Sequence, residues 1–340
     1  SEFSFKKFGE YSYNSLCAVS LEGSQSRTVR DYREKVAVTR AYLSHHLPKK
    51  LHRSFHCDSD QMPYIEHTVI SELNLDFEEY IRNGDEQTLL KVIARKQVAA
   101  FIYLCRKLNR SPMYFGKNVA AAFSDTTIRD FLDLMSEMFQ ATVQDSDEDS
   151  TLANRSRSFL DARTPIPPRQ QSNAVQKASY AKYLSVEALA TSTEPHVANM
   201  VRGIGFITRE LHGTSDQPAA IRLPERGIFK IDVSAVNSLL QGNAVLADFL
   251  RIARRMERDG FIKIVEMPSN SDPNVRVRLH KRLCPHFECS PRSGYEDVTL
   301  AASDVATILT WDSSKDIRKW CSNWVARQDA QGQLPFGGRK

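Results

Sequence analysis

Residues 244–280 read AVLADFLRIARRMERDGFIKIVEMPSNSDPNVRVRLH, and the alternation of apolar and basic positions along them decides the fold. From about Ala244 to Asp259 the spacing predicts a helix. Phe249, Ile252, Ala253 and Met256 fall at i, i+3, i+4 and i+7, a single stripe on a helical surface. Gly260 suits its end, because glycine takes the left-handed cap conformation without a Cβ penalty. Phe261–Glu266 then reads as a strand, Met267–Asn274 with its two prolines as a loop, and Val275–His280 as a returning strand. In the returning strand Val275, Val277 and Leu279 share one face, and Arg276, Arg278 and His280 the other.

Working outward, Ile228-Phe229-Lys230-Ile231-Asp232-Val233 alternates like a strand, Ser234–Leu240 fits a short helix, and Gly242-Asn243 a turn. Helices are expected over about 174–190 and 195–212. Helix, strand, helix, turn, helix, strand, loop, strand is the order of a winged helix. The basic residues give it a candidate partner. Arg251, Arg254, Arg255 and Arg258 occupy the helix side opposite the apolar stripe, where mutual repulsion favours a polyanion lying across them. Between 251 and 282 these four are joined by Lys263, Arg276, Arg278, Lys281 and Arg282, nine cations against Glu257, Asp259, Glu266 and Asp272. That local excess equals the net charge of +5 of the whole 340-residue chain. All nine are candidate nucleic-acid contacts. A solvated face, a protein-docking module and a structural spacer remain as alternatives.

The first half reads differently. Leu90, Ala94, Val98, Phe101, Cys105 and Leu108 mark one face of a long helix that Ser111-Pro112 closes. A short helix follows over about Tyr114–Phe123. Another begins near Thr127 with Ile128, Phe131, Leu132, Met135, Met138 and Phe139 on one side, and Thr127 with Asp130 forms a capping box. Before residue 73 only a helix from Thr28 to His45 is legible. Gln144–Asn173 holds an acidic run, three prolines and a polar end, and reads as an exposed linker. The expected organisation is an N-terminal segment 1–72, a helical bundle 73–143, a linker 144–173, a winged-helix domain with extra helices 174–310, and a C-terminal helix and tail 311–340. The class is mainly α, of the α+β kind. In the last segment Trp320 and Trp324 should dock a helix on its own domain, and Gln331–Lys340 should be a frayed end.

Phe123-Ser124-Asp125-Thr126-Thr127-Ile128-Arg129-Asp130-Phe131-Leu132 resembles the segment that opens a lid helix in AAA+ ATPases of the origin-recognition/initiator type, bacterial relatives included. There a winged helix follows the lid, and Val277–Phe287 is similar to the region after the wing in bacterial members. The resemblance covers roughly residues 75–142 and 175–300. It implies a lid-like bundle followed by a DNA-binding winged helix. It also makes Arg129 the nucleotide-sensing arginine, reaching towards the γ-phosphate of ATP. Thr126 stands where the family has glycine. Without the resemblance, Arg129 reads as a helix-start arginine paired with Asp125 or Asp133.

Other chemistry is excluded or weak. A phosphate-cradling loop needs G-x-x-x-x-G-K-[S/T]. At Gly116-Lys117-Asn118 the first glycine is Ser111, the metal-binding hydroxyl is Asn118, and the context is helical. Gly203-Ile204-Gly205 follows no strand, so it is no dinucleotide fingerprint. No cofactor is therefore expected in these residues, and ATP with Mg²⁺ only in a full-length parent. His45, His46, His52, His56, Cys57 and His67 fit no standard zinc spacing, and Cys284, His286, Cys289 and Cys321 are expected as packed side chains rather than ligands. No nucleophile elbow or metalloprotease helix is present. The expected partners are double-stranded DNA, an ATPase core in cis or in a partner subunit, and a second copy of the chain. The main alternative is protein docking within a multi-subunit assembly. Six scattered cysteines suit reduced thiols, no run of about eighteen apolar residues suggests a membrane span, and the opening Ser1-Glu2-Phe3 suggests a fragment. A cytoplasmic protein is expected.

Overall fold

The computed structural model describes residues 8–57, 61–124, 127–144, 151, 154, 156–157, 159, 165–191, 194–213, 221, 225–292, 296–312 and 316–330. The acidic run 145–149, Asp125-Thr126 and the tail 331–340 lie outside the described residues. In chain order the elements are α1 (Tyr13–Leu21), α2 (Arg27–His46), α3 (Lys49–His52), α4 (Tyr64–Glu72), α5 (Phe77–Arg82), α6 (Glu86–Lys107), α7 (Lys117–Ser124), α8 (Ile128–Gln144), α9 (Pro168–Ala190) and α10 (Pro195–Leu211). They continue as β1 (Arg226–Asp232), α11 (Val233–Leu239), α12 (Phe249–Arg258), β2 (Ile262–Glu266), β3 (Asn274–Leu279), a 3₁₀ turn (Lys281–Leu283), β4 (Glu296–Thr299), α13 (Ala302–Leu309) and α14 (Ile317–Ala330). The chain is thus mainly helical with one small mixed sheet, the expected class.

Two compact units result. The first comprises Ser1–Ala121, Leu134–Val175 and Gly213–Arg222; the second comprises Ala122–Asp133, Gln176–His212 and Leu223–Lys340.

In the first unit α6 is the axis. Val98–Cys105 is buried without a break, and α1 and α4 both pack against this helix. The expected single stripe is therefore corrected. Ala94 is exposed, and Leu89 and Ile93 carry the burial before Val98. Leu16, Val29, Val36, Leu43 and Val69 join this core, so the segment before residue 73 does not stand apart from the bundle. Its sequence was hard to read because short helices with ordinary loops leave little periodicity. The exposed-linker expectation fails at its C-terminal end. Gln171 is fully buried, accepts the Gly116 N–H (2.9 Å), and donates to the carbonyls of Phe8 (3.0 Å) and Ile166 (2.7 Å). Ser172 accepts the Tyr114 N–H at 3.1 Å. These polar residues satisfy buried backbone groups rather than face water. In α8 the stripe is likewise displaced. Asp130, Leu134 and Met138 are buried, whereas Ile128 and Leu132 are exposed.

The second unit is built around α10. Its buried residues are mostly apolar, with His196, Asn199 and Thr208 among them, and two glycines let neighbours approach. A Cβ on Gly205 would lie 2.4 Å from the Phe287 ring, and one on Gly203 would lie 2.8 Å from Ile308 Cγ2. Close packing, not ligand binding, explains Gly203-Ile204-Gly205. The sheet runs β2-β3-β1-β4, with β3 antiparallel to both β2 and β1. Val277 pairs with Phe229 on one side and Ile264 on the other, a buried row across three strands. Val275 and Leu279 are buried as the alternation required, but His280 is only 5% exposed and leaves the basic face. β4 pairs parallel with β1 and was not legible, since four residues with one buried valine carry no pattern. Trp324 is buried and its indole N–H donates to Asp304 (2.8 Å), so the C-terminal helix docks through it as expected.

Candidate nucleic-acid interface

α12 starts five residues later than the expected Ala244. Asp248 caps it by accepting the Arg251 N–H at 3.0 Å, while Asn243 accepts from Val245 (3.0 Å) and Leu246 (3.3 Å) and holds the preceding residues in a turn. Gly260, with φ +69°, follows its end. Phe249, Ile252, Ala253 and Met256 are buried as the stripe predicts. This burial fixes the rotation of α12 and turns its arginines outward.

The nine expected cations divide sharply. Arg251 and Arg254 are exposed, and among the described residues neither has a carboxylate partner; Arg251 donates to the Val245 carbonyl at 3.0 Å. Arg258 is 69% exposed, with Asp259 at 3.8 Å. With Arg255 these three line an open groove of about 870 Å³, to which Val245, His196 and the carboxylates Glu194 and Asp248 also contribute. Burial holds the His196 pKa below its ordinary value, with Glu194 opposing and Arg251 adding to the shift. Arg255 is taken by Glu194 (3.2 Å) and Asp259 (3.1 Å), and Lys263 by Glu257 (3.0 Å). Arg276 is enclosed by Asp297 (2.7 Å), Asp272 (3.4 Å) and Glu266. Arg278 and Lys281 are half-buried, and Arg278 donates to the Leu279 carbonyl at 3.2 Å. Arg282 departs most from expectation. It is buried, and donates to Asp130 (2.6 Å) and Asp133 (2.8 Å). Its acidic partners lie some 150 positions away in sequence, so no local reading could find them.

A model of the ORC-CDC6-like family matches residues 10–300. The chain belongs to the ORC-CDC6-like family. It is thereby an initiator-like AAA+ ATPase relative, and the match takes in the N-terminal helices as well as the segments that carried the resemblance. No curated protein and no solved structure matches this sequence.

The residues at Gly116-Lys117 do not fit a nucleotide site. The amide N–H groups that would cradle phosphate are already used, Gly116 by Gln171 (2.9 Å) and Lys117 by the Gly9 carbonyl (3.1 Å), and the Lys117 ammonium pairs with Glu10. Arg129 is exposed in the first turn of α8. Asp133, one of its expected partners, faces Arg282 instead, and Asp125 lies outside the described residues. Thr127 caps α8, with the Asp130 N–H donating to its Oγ1 at 3.4 Å, but the expected capping box is only half made, since the Thr127 N–H donates to the Ser124 carbonyl (2.7 Å).

The histidines and cysteines disperse. His56 pairs with Glu66 (2.8 Å), His67 with Thr39 (2.7 Å), and His52 with the Leu47 carbonyl (3.0 Å). His286 stacks on Tyr183 at 3.7 Å. All six cysteines are buried, and none is in a disulfide. Among the described residues no group of His, Cys, Asp and Glu could hold a metal ion, and no helix is long and apolar enough to cross a membrane.

Proposed function

We propose that this chain is the DNA-engaging, regulatory part of an initiator-like AAA+ ATPase, and that Arg251, Arg254 and Arg258 contact the phosphate backbone of duplex DNA. The observation that carries this reading is the groove along α12, where exposed guanidinium groups gather while the neighbouring cations are neutralised by the protein's own acids. The order α10-β1-α11-α12-β2-β3, with β3 between β1 and β2, supports a winged-helix assignment in which α12 is the reading helix. Arg255 and Lys263, held by Glu194, Asp259 and Glu257, border the contact without entering it. Arg276 and Arg278 flank the β2–β3 loop, the wing, and position it, with Lys281 after the strand. Arg129 gives the nucleotide half of the reading, serving an ATP·Mg²⁺ held by an ATPase core in cis or in a partner subunit. A second copy is the natural oligomeric partner on one duplex.

A second reading has its own support. Leu239, Val245, Val265 and Met267 are exposed around α11, α12 and β2, as on a protein-docking face. Fluorescence anisotropy of the whole chain on duplex DNA separates the two. DNA engagement requires binding that salt weakens and that R254E weakens further. Binding that is absent, or indifferent to both, sinks the DNA reading and favours docking.

A further inference from the structure

One buried charged cluster is left without a role by the DNA reading. Arg282 spans Asp130 and Asp133, with side-chain exposures of 10% for the arginine and 12% for Asp130, and its guanidinium lies 5.8 Å from the Phe123 ring centre. All four residues belong to the second unit. Asp130 and Asp133 sit in the first turns of α8, beside Arg129.

The cluster reaches the arginine helix by two short routes. His280, the residue after β3, accepts the Arg282 N–H on Nδ1 (3.3 Å), and its Nε2 lies 3.7 Å from Asp130. The His280 N–H donates to the Phe261 carbonyl at 3.0 Å, just past the end of α12. Lys182 donates to the carbonyl of Asp259, the C-cap of α12, at 2.5 Å. Burial and then the charge of Arg282 lower the Lys182 pKa, with Asp130 opposing, so the second route feels the same cluster. Separating such a pair strands a buried charge, which leaves the arrangement two discrete states, joined or broken, rather than a continuum.

We propose that Arg282 is a positioning residue through which the turn 127–133 of α8 and the arginine face of α12 are thermodynamically coupled. This rests on the DNA reading. Because linkage is reciprocal, DNA bound at α12 must stabilise the turn 127–133, which it does not touch.

Hydrogen exchange on the whole chain, with and without duplex DNA, tests this. In the wild type, DNA slows exchange at 127–133 by about fivefold or more. R282M abolishes that response and weakens DNA binding without changing the salt slope, and R282K restores part of the response. Should R282M fail to fold, D133N removes the more exposed acidic partner and serves in its place. Two results overturn the coupling: DNA binding with unchanged exchange at 127–133, or a salt slope that falls by about one unit in R282M, which marks a phosphate contact. A wild type that binds no duplex at all removes the DNA reading itself, and this proposal with it.

Discussion

The salt dependence of DNA binding distinguishes a nine-cation surface from the three-cation face the structure supports. Neutralising Z phosphates gives a slope of about −0.9Z in log affinity against log salt. With Arg251, Arg254 and Arg258 as contacts the slope is about −2.7, and raising salt from about 50 to about 200 mM weakens binding about 40-fold. Nine contacts would give a slope near −8 and a loss of about 10⁵-fold over the same range. The difference arises because Arg276 already holds three carboxylates, Arg255 two, and Arg282 two, so phosphate would have to displace partners already in place. Anisotropy titrations at four or five salt concentrations measure the slope directly. R254A should lower it by about one unit. A wild-type slope steeper than about −6, or an R254A slope equal to that of the wild type, refutes the reasoning.

Stability measurements test the packing and the ion pairs. G205A should lower the melting temperature: overpacking against Phe287 costs about 1–3 kcal/mol, against a helix-propensity gain of about 1 kcal/mol, whereas G242A, with open space around it, should be neutral. A stabilised G205A would show that the ring yields freely. R282M should cost about 3–5 kcal/mol in urea unfolding because it strands Asp130, whereas R258A on the open face should stay within about 0.5 kcal/mol. His56 titrates above its ordinary value because Glu66 accepts its hydrogen bond, with burial opposing. Its stabilising contribution is therefore complete below about pH 6.5 and lost as pH rises through the folded pKa. The stability difference between wild type and H56Q should shrink over that window, and a difference that grows with pH contradicts the sign; His67, whose pKa burial lowers, is common to both proteins and cancels. Thiol labelling of the folded chain should be no faster than its unfolding, since all six cysteines are buried.

Sequence alone determined the second unit well, because its signals are periodic and local. The stripe Phe249, Ile252, Ala253, Met256 fixes a helix and its inner face, and the alternation Val275, Val277, Leu279 fixes a strand. The exposed arginines of α12 follow from the same stripe, since what is opposite a buried face must face out. The segment opening at Phe123 was enough to suggest the family. Tertiary structure alone decided which cations are available. A guanidinium is read from sequence as a charge, but its availability depends on carboxylates brought beside it by the fold, as Asp130 and Asp133 are to Arg282 and Glu194 is to Arg255. It also decided that Gln171 is core and not linker, and that α6 is buried all round over Val98–Cys105. Periodicity records the direction in which a residue points from its own helix or strand; what it meets there is set by distant chain, and electrostatic and packing energies depend on that meeting.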